Sequence, residues 1–157
     1  MKLRAVMLAS ALCVLCARVA AADTTMNPDS RIVVTVNAHA QAELLAEMRA
    51  HLVNVQNLLE ALSHNDLKGV ARAARASGVA SATETADELI VRLPRGFIAL
   101  GLSMHQDFDR IADRAVQGEG ADRLLATTAV VLQKCVACHT MYQLRVGQAN
   151  LGGRTEH

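Results

Sequence analysis

ADRLLATTAVVLQKCVACHTMY, residues 121–142, is the stretch on which the fold turns. Leu124, Leu125, Thr128, Val131, Leu132, Cys135, Cys138 and His139 recur every three or four positions, the spacing that lines one face of a helix. No proline or glycine interrupts the run, while Gly118 and Gly120 punctuate the chain just before it. The segment therefore predicts one long helix from about Ala121 to Tyr142, with two cysteines and a histidine on its final turns.

Upstream the same period repeats. Pro94 stands where a first-turn proline is tolerated, and Phe97, Leu100, Met104, Phe108, Ile111, Ala112 and Ala115 trace the face of another helix that ends at Gly118 and Gly120. Asn37 is a candidate N-cap for a first long helix carrying Leu44, Leu45, Met48, Leu52, Val55, Leu58, Leu59 and Leu62. His64-Asn65-Asp66 supplies turn and cap chemistry, and Leu67, Val70, Ala71 and Ala74 form a short Ala-rich helix that stops near Gly78. Residues 79 to 93 are expected to hold one helical stretch around Ala86 to Val91, ended by Pro94.

Four amphipathic helices joined by short connections predict an all-α chain, an antiparallel four-helix bundle over residues 37–146. Residues 23–36 are expected to be an extended N-terminal arm. They contain turn formers and then Ile32-Val33-Val34-Thr35-Val36, β-leaning residues for which the sequence offers no second strand. The tail from Gly147 to His157, with three glycines, is expected to be disordered.

At the other end, Lys2 and Arg4 precede an apolar run from Ala5 to Ala17, and Ala20-Ala21-Ala22 follows as a small-residue cleavage site. That order predicts a secretory signal over residues 1–22 and a periplasmic mature protein with no membrane span, because the run is shorter than the roughly 20 apolar residues a spanning helix needs. Cleavage would remove Cys13 and Cys16, leaving Cys135 and Cys138, too few for a disulfide framework. It would also remove Lys2, Arg4 and Arg18, leaving 13 basic against 15 acidic residues. A balance so near neutral points away from nucleic acid and from anionic lipid. Phe97, Phe108 and Tyr142 are the only Phe, Tyr or Trp residues in a chain rich in Ala, Leu and Val, a composition that leaves room for a large flat apolar group between helices.

Cys135-Val136-Ala137-Cys138-His139 carries the chemistry. Cys-x-x-Cys-His is the attachment pattern for haem c, and on a helix positions i, i+3 and i+4 share a face. Two sulfurs thus reach the vinyl groups on one porphyrin edge while His139 turns its imidazole to the iron. Zinc would need four ligands, and only the two cysteines and histidines without paired spacing are present. A thioredoxin-type dithiol belongs at a strand-to-helix turn in a βαβ unit, which this helical sequence lacks. A plain disulfide across so short a loop would add little stability.

With the motif near the C-terminus of a helical chain, residues 40 to 145 resemble the class II c-type cytochromes, which include cytochromes c-prime and their low-spin relatives. The resemblance implies a four-helix bundle enclosing one haem per chain, no enzymatic activity, and electron exchange with a redox partner protein. It also implies a basic residue a few positions after the ligand His. Gln143 and Arg145 straddle that place, and Arg145 is the candidate to face a haem propionate. First-helix residues cover the opposite axial position in that family. Met48 is also similar in placement to the axial methionine of the soluble four-helix b-type cytochrome, although a methionine on an apolar stripe serves equally as core. His51 and His105 are the rival ligands; Met104 reads as core, and His39, His64 and His157 as solvated. A c-prime-like five-coordinate protein that binds NO or CO, and a haem-free helical module with a redox dithiol, are the other functions expected of these residues. The resemblance further implies pairing of two copies through the first two helices.

Overall fold

A computed structural model describes residues 29–82 and 93–147. The leader expected over 1–22, the stretch around 86–91 and the tail from 148 onward lie outside the described residues. The described chain is mostly helical with one small sheet: β1 (Ile32–Val36), α1 (Ala38–Ser63), α2 (Leu67–Arg75), α3 (Val79–Ala82), α4 (Arg95–Val116), α5 (Ala121–Met141) and β2 (Tyr142–Val146). Helix α2 packs on α1 and α4, α4 packs on α5, and α5 returns to α1.

The caps read from the sequence fix the first helical connection. Asn37 is extended and its side-chain oxygen accepts the Ala40 N–H at 2.8 Å, satisfying one of the amides that a first helical turn leaves without a carbonyl. At the far end Asn65 takes φ 58°, a left-handed conformation that asparagine tolerates better than most residues. The Asp66 N–H then reaches back to the Ala61 carbonyl at 2.9 Å, and the Asp66 carboxylate caps α2 by accepting the Gly69 N–H at 2.9 Å.

One expectation is corrected here. The segment 32–36 is not an unpaired arm: it forms a parallel ladder with residues 142–146, in register from Ile32↔Tyr142 to Val36↔Val146. Tyr142, Leu144 and Val146 alternate with polar residues, the period of a strand, directly after the last helical turn. Helix α5 accordingly stops at Met141, and the Tyr142 N–H closes its end on the Cys138 carbonyl.

Two separate apolar clusters hold these elements together. The larger contains Leu58, Leu62, Val70, Ala74, Phe108, Ile111, Ala112, Ala115, Leu124 and Val131, with Met104 packed against it as expected. The smaller contains Val34, Val36, Ala40 and Leu44, with Phe97, Tyr142 and Leu144 alongside. The sheet therefore does more than tether the ends, because its inner face closes one end of the helical layer. Phe97 and Tyr142 meet edge to face there, with ring centroids 5.4 Å apart.

The α2–α3 connection is pressed onto α4 by charge. Arg75 bridges Asp109 and Asp113, and Asp109 also accepts the Val79 N–H at 2.9 Å. Burial alone would raise the Asp109 pKa, but the Val79 N–H and Arg75 outweigh it and hold the carboxyl below its ordinary value. A side chain on Gly78 would collide with that carboxylate, so this close approach requires glycine.

Candidate functional site

Three helices stop burying side chains at the same level. On α1 the buried positions are Ala40 and Leu44 at one end and Leu58 and Leu62 at the other, with none between. On α4 they begin only at Asp107, and on α5 they end at Val131. The larger cluster thus gives way to the smaller between Leu58 and Leu44 on α1, between Phe108 and Phe97 on α4, and between Val131 and Tyr142 on α5. Met48, His51, Leu100, Gly101, His105, Cys135 and Cys138 occupy this interval, and all are half-buried.

Cross-helix contacts set the levels. Lys134, the residue before the cysteine motif, donates to the Ser103 carbonyl at 3.2 Å and pairs with Asp107, residues that flank His105 on α4. His51 meets His105 edge-on with ring centroids 5.1 Å apart. Moving from His51 to Met48 descends about 4.5 Å along α1 toward the smaller cluster, and moving from Lys134 to Ala137 descends about the same distance on α5. By this count of helical rise Met48 and Ala137 each lie about one turn below the His51–His105 contact, toward the smaller cluster.

Cys135 and Cys138 are free thiols on one half-buried side of α5. Burial pushes the thiol pKa of each upward, and Cys135 adds to the effect at Cys138. His139 follows at the exposed rim of the same face, and its main-chain carbonyl accepts from Arg31 at 3.4 Å. Arg31 comes from the residue before β1 and is clamped by Asp29, whose pKa this partner lowers to about 2. Arg145, on β2, bonds the Gln143 side chain, which in turn donates to the Arg31 carbonyl. The sheet pairing thus gathers Arg31 and Arg145 beside the last turn of α5. Arg31 was not among the residues picked out from sequence, because only the long-range strand pairing brings it to the motif.

The two inner histidines share one buried serine. Ser77 is fully buried; its hydroxyl lies 3.0 Å from His51 Nδ1 and accepts Asn54 Nδ2–H at 3.0 Å, while its carbonyl accepts from His105 Nδ1 at 2.9 Å. A carbonyl only accepts, so His105 carries its proton on Nδ1. Burial, and secondarily His105, push the His51 pKa below its ordinary value, favouring the neutral ring. His39 pairs with Glu43 on the surface, and His64 is exposed. His157 lies outside the described residues.

The donor set fits a covalently held haem. Two half-buried sulfurs share a helix face with a rim imidazole, and a half-buried thioether on α1 lies in the same interval between the two clusters. Among the described residues no group of three or more His, Cys, Asp or Glu side chains is arranged to hold a metal ion. Comparison of the chain with protein-family models, curated proteins and solved structures finds no match.

Proposed function

We propose that this chain is an exported c-type cytochrome, an antiparallel helical bundle that encloses one covalently attached haem and passes electrons to a redox partner protein in the periplasm. The observation that carries the reading is the coincidence of the Cys135–His139 motif with the interruption of the core on α1, α4 and α5. An apolar group buried there contributes roughly 25 cal/mol per Å² removed from water, which compensates for the side chains those helices do not bury.

In this reading Cys135 and Cys138 would hold the haem through thioether bonds, and His139 would be a ligand to its iron. Met48, on α1, would be the second ligand. When bound, the haem supplies a one-electron couple at iron, and a His/Met ligand pair sets that couple high. The protein's part is to hold both ligands in one place before and after transfer, which α1 and α5 do by packing against each other and against the larger cluster. Arg31 and Arg145 place two cations beside the motif, suited to haem propionates. Lys134, tied to Asp107 and Ser103, fixes the helix turn that presents Cys135.

The raised thiol pKa values of Cys135 and Cys138 weigh against a redox dithiol, whose attacking cysteine needs a depressed pKa. A gas-binding protein with an open iron position is the second reading, and it turns on Met48, a half-buried side chain that serves as core equally well. Optical spectra of the exported protein, oxidised and reduced, with and without carbon monoxide, separate the two. Sharp low-spin bands, a sulfur-to-iron charge-transfer band and indifference to carbon monoxide are expected; a high-spin spectrum that shifts with carbon monoxide would transfer the proposal to gas binding.

A further inference from the structure

Met48 and His51 lie three residues apart on one side of α1, both half-buried within the interval between the two apolar clusters. Two side chains able to bind iron thus stand about 4.5 Å apart along one helix axis, on the helix facing the cysteine motif. We propose that His51 is a reserve axial ligand that takes the iron when Met48 leaves it, so that the chain supports a second, bis-histidine ligation state. This rests on the covalent haem and Met48 ligation proposed above.

Three features single out His51. Its Nδ1 is 3.0 Å from the Ser77 hydroxyl, and a ligand imidazole is characteristically oriented by a hydrogen bond at the nitrogen that does not meet the metal. A serine hydroxyl both donates and accepts, so it can hold Nδ1 in either tautomer while also accepting the Asn54 amide, and Nε2 is the ring nitrogen outside this contact. Ser77 is itself immobilised, fully buried on a connection that Arg75, Asp109 and Gly78 press onto α4.

His105 is the neighbour that has to be told apart. It is tied through Nδ1–H to a main-chain carbonyl, which only accepts, whereas His51 is tied to a hydroxyl, which both donates and accepts and so tolerates a change of ring tautomer. His51 also shares the helix of the ligand it replaces, so the exchange needs only side-chain motion and slight adjustment of α1.

The test uses the exported, haem-loaded protein as wild type, Met48→Leu and Met48→Leu/His51→Leu, with Met48→Ala as a second single variant. Met48→Leu conserves volume, and far-UV circular dichroism with covalent haem content reports folding. The single variants are expected to lose the sulfur-to-iron band yet stay low-spin, with a reduction potential shifted downward and no reaction with carbon monoxide. The double variant is expected to become high-spin and to bind carbon monoxide. High-spin iron in both folded single variants overturns the proposal, and so does a double variant that remains low-spin, which assigns the reserve position to another residue such as His105. A wild-type protein without covalent haem overturns the reading beneath it as well, and the wild-type haemochrome identifies that failure separately from the variant spectra.

Discussion

The two ends of the long helices are built on different terms. Beyond the His51–His105 contact, α1, α4 and α5 pack Leu58, Leu62, Phe108, Ile111, Leu124 and Val131 into one continuous cluster with α2. Before it, the same helices present half-buried Met48, Leu100, Gly101, Cys135 and Cys138, and the next fully buried side chains, Leu44 and Ala40, belong to a cluster closed by the sheet. The sequence is equally apolar in both halves, so hydrophobicity alone does not separate them. The difference lies in what each half is packed against: the first is closed by α2, and the second is the half in which the proposed haem would lie.

The largest effect expected from this contrast concerns that group. Cys135→Ala combined with Cys138→Ala should abolish covalent haem and lower the thermal midpoint by roughly 10 °C, equivalent to about 2 kcal/mol for a domain of this size. Full haem retention in a stable double variant, measured by haemochrome absorbance and thermal melting, would contradict it.

Paired core truncations test the contrast from within the protein. Ile111→Ala removes a fully buried side chain and is expected to cost about 3 kcal/mol in denaturant unfolding. Leu100→Ala, in the half-buried interval, should cost less than about 1 kcal/mol when both are measured in the haem-free Cys135→Ala/Cys138→Ala background. Equal losses would mean that the lower half is packed as completely as the upper.

The boundary between the halves should respond to pH. The folded state lowers the pKa of His51 below its ordinary value of 6.5, so between the two values the unfolded chain binds more protons and stability rises with pH. The contribution is present above pH 6.5 and lost as pH falls through the lower folded value. In His51→Gln the slope of unfolding free energy against pH below 6.5 should flatten; an unchanged slope assigns it to other groups.

The smallest effect lies at the edge of the lower cluster. Asn37→Ala removes the cap on the Ala40 N–H and should cost about 1 kcal/mol. A loss within error would mean that water or the β1 connection satisfies that amide.

Much of the helical frame was legible in the sequence because its signals are local. Asn37 and Asp66 cap their helices, Asn65 takes the left-handed turn, and the three-to-four periodicity marks α1, α4 and α5. The strand pairing was not legible, since parallel partners more than a hundred residues apart share no turn and Tyr142–Val146 follows a helix without a break. The interrupted core was hidden for a related reason. Leu44, Met48, Val55 and Leu58 keep one unbroken helical period, and only the relative placement of three helices separates buried from half-buried positions. Ser77 precedes Gly78, near which the short helix was expected to stop, and nothing local ties it to His51 and His105.

The central claim is that Cys135 and Cys138 hold a haem where the core is interrupted. A pyridine haemochrome spectrum of the denatured, exported protein tests it most directly, because only thioether-linked haem survives denaturation and acid–acetone extraction with the polypeptide. The account predicts a c-type haemochrome with one haem per chain; a polypeptide free of haem after expression with the c-haem maturation machinery would contradict it.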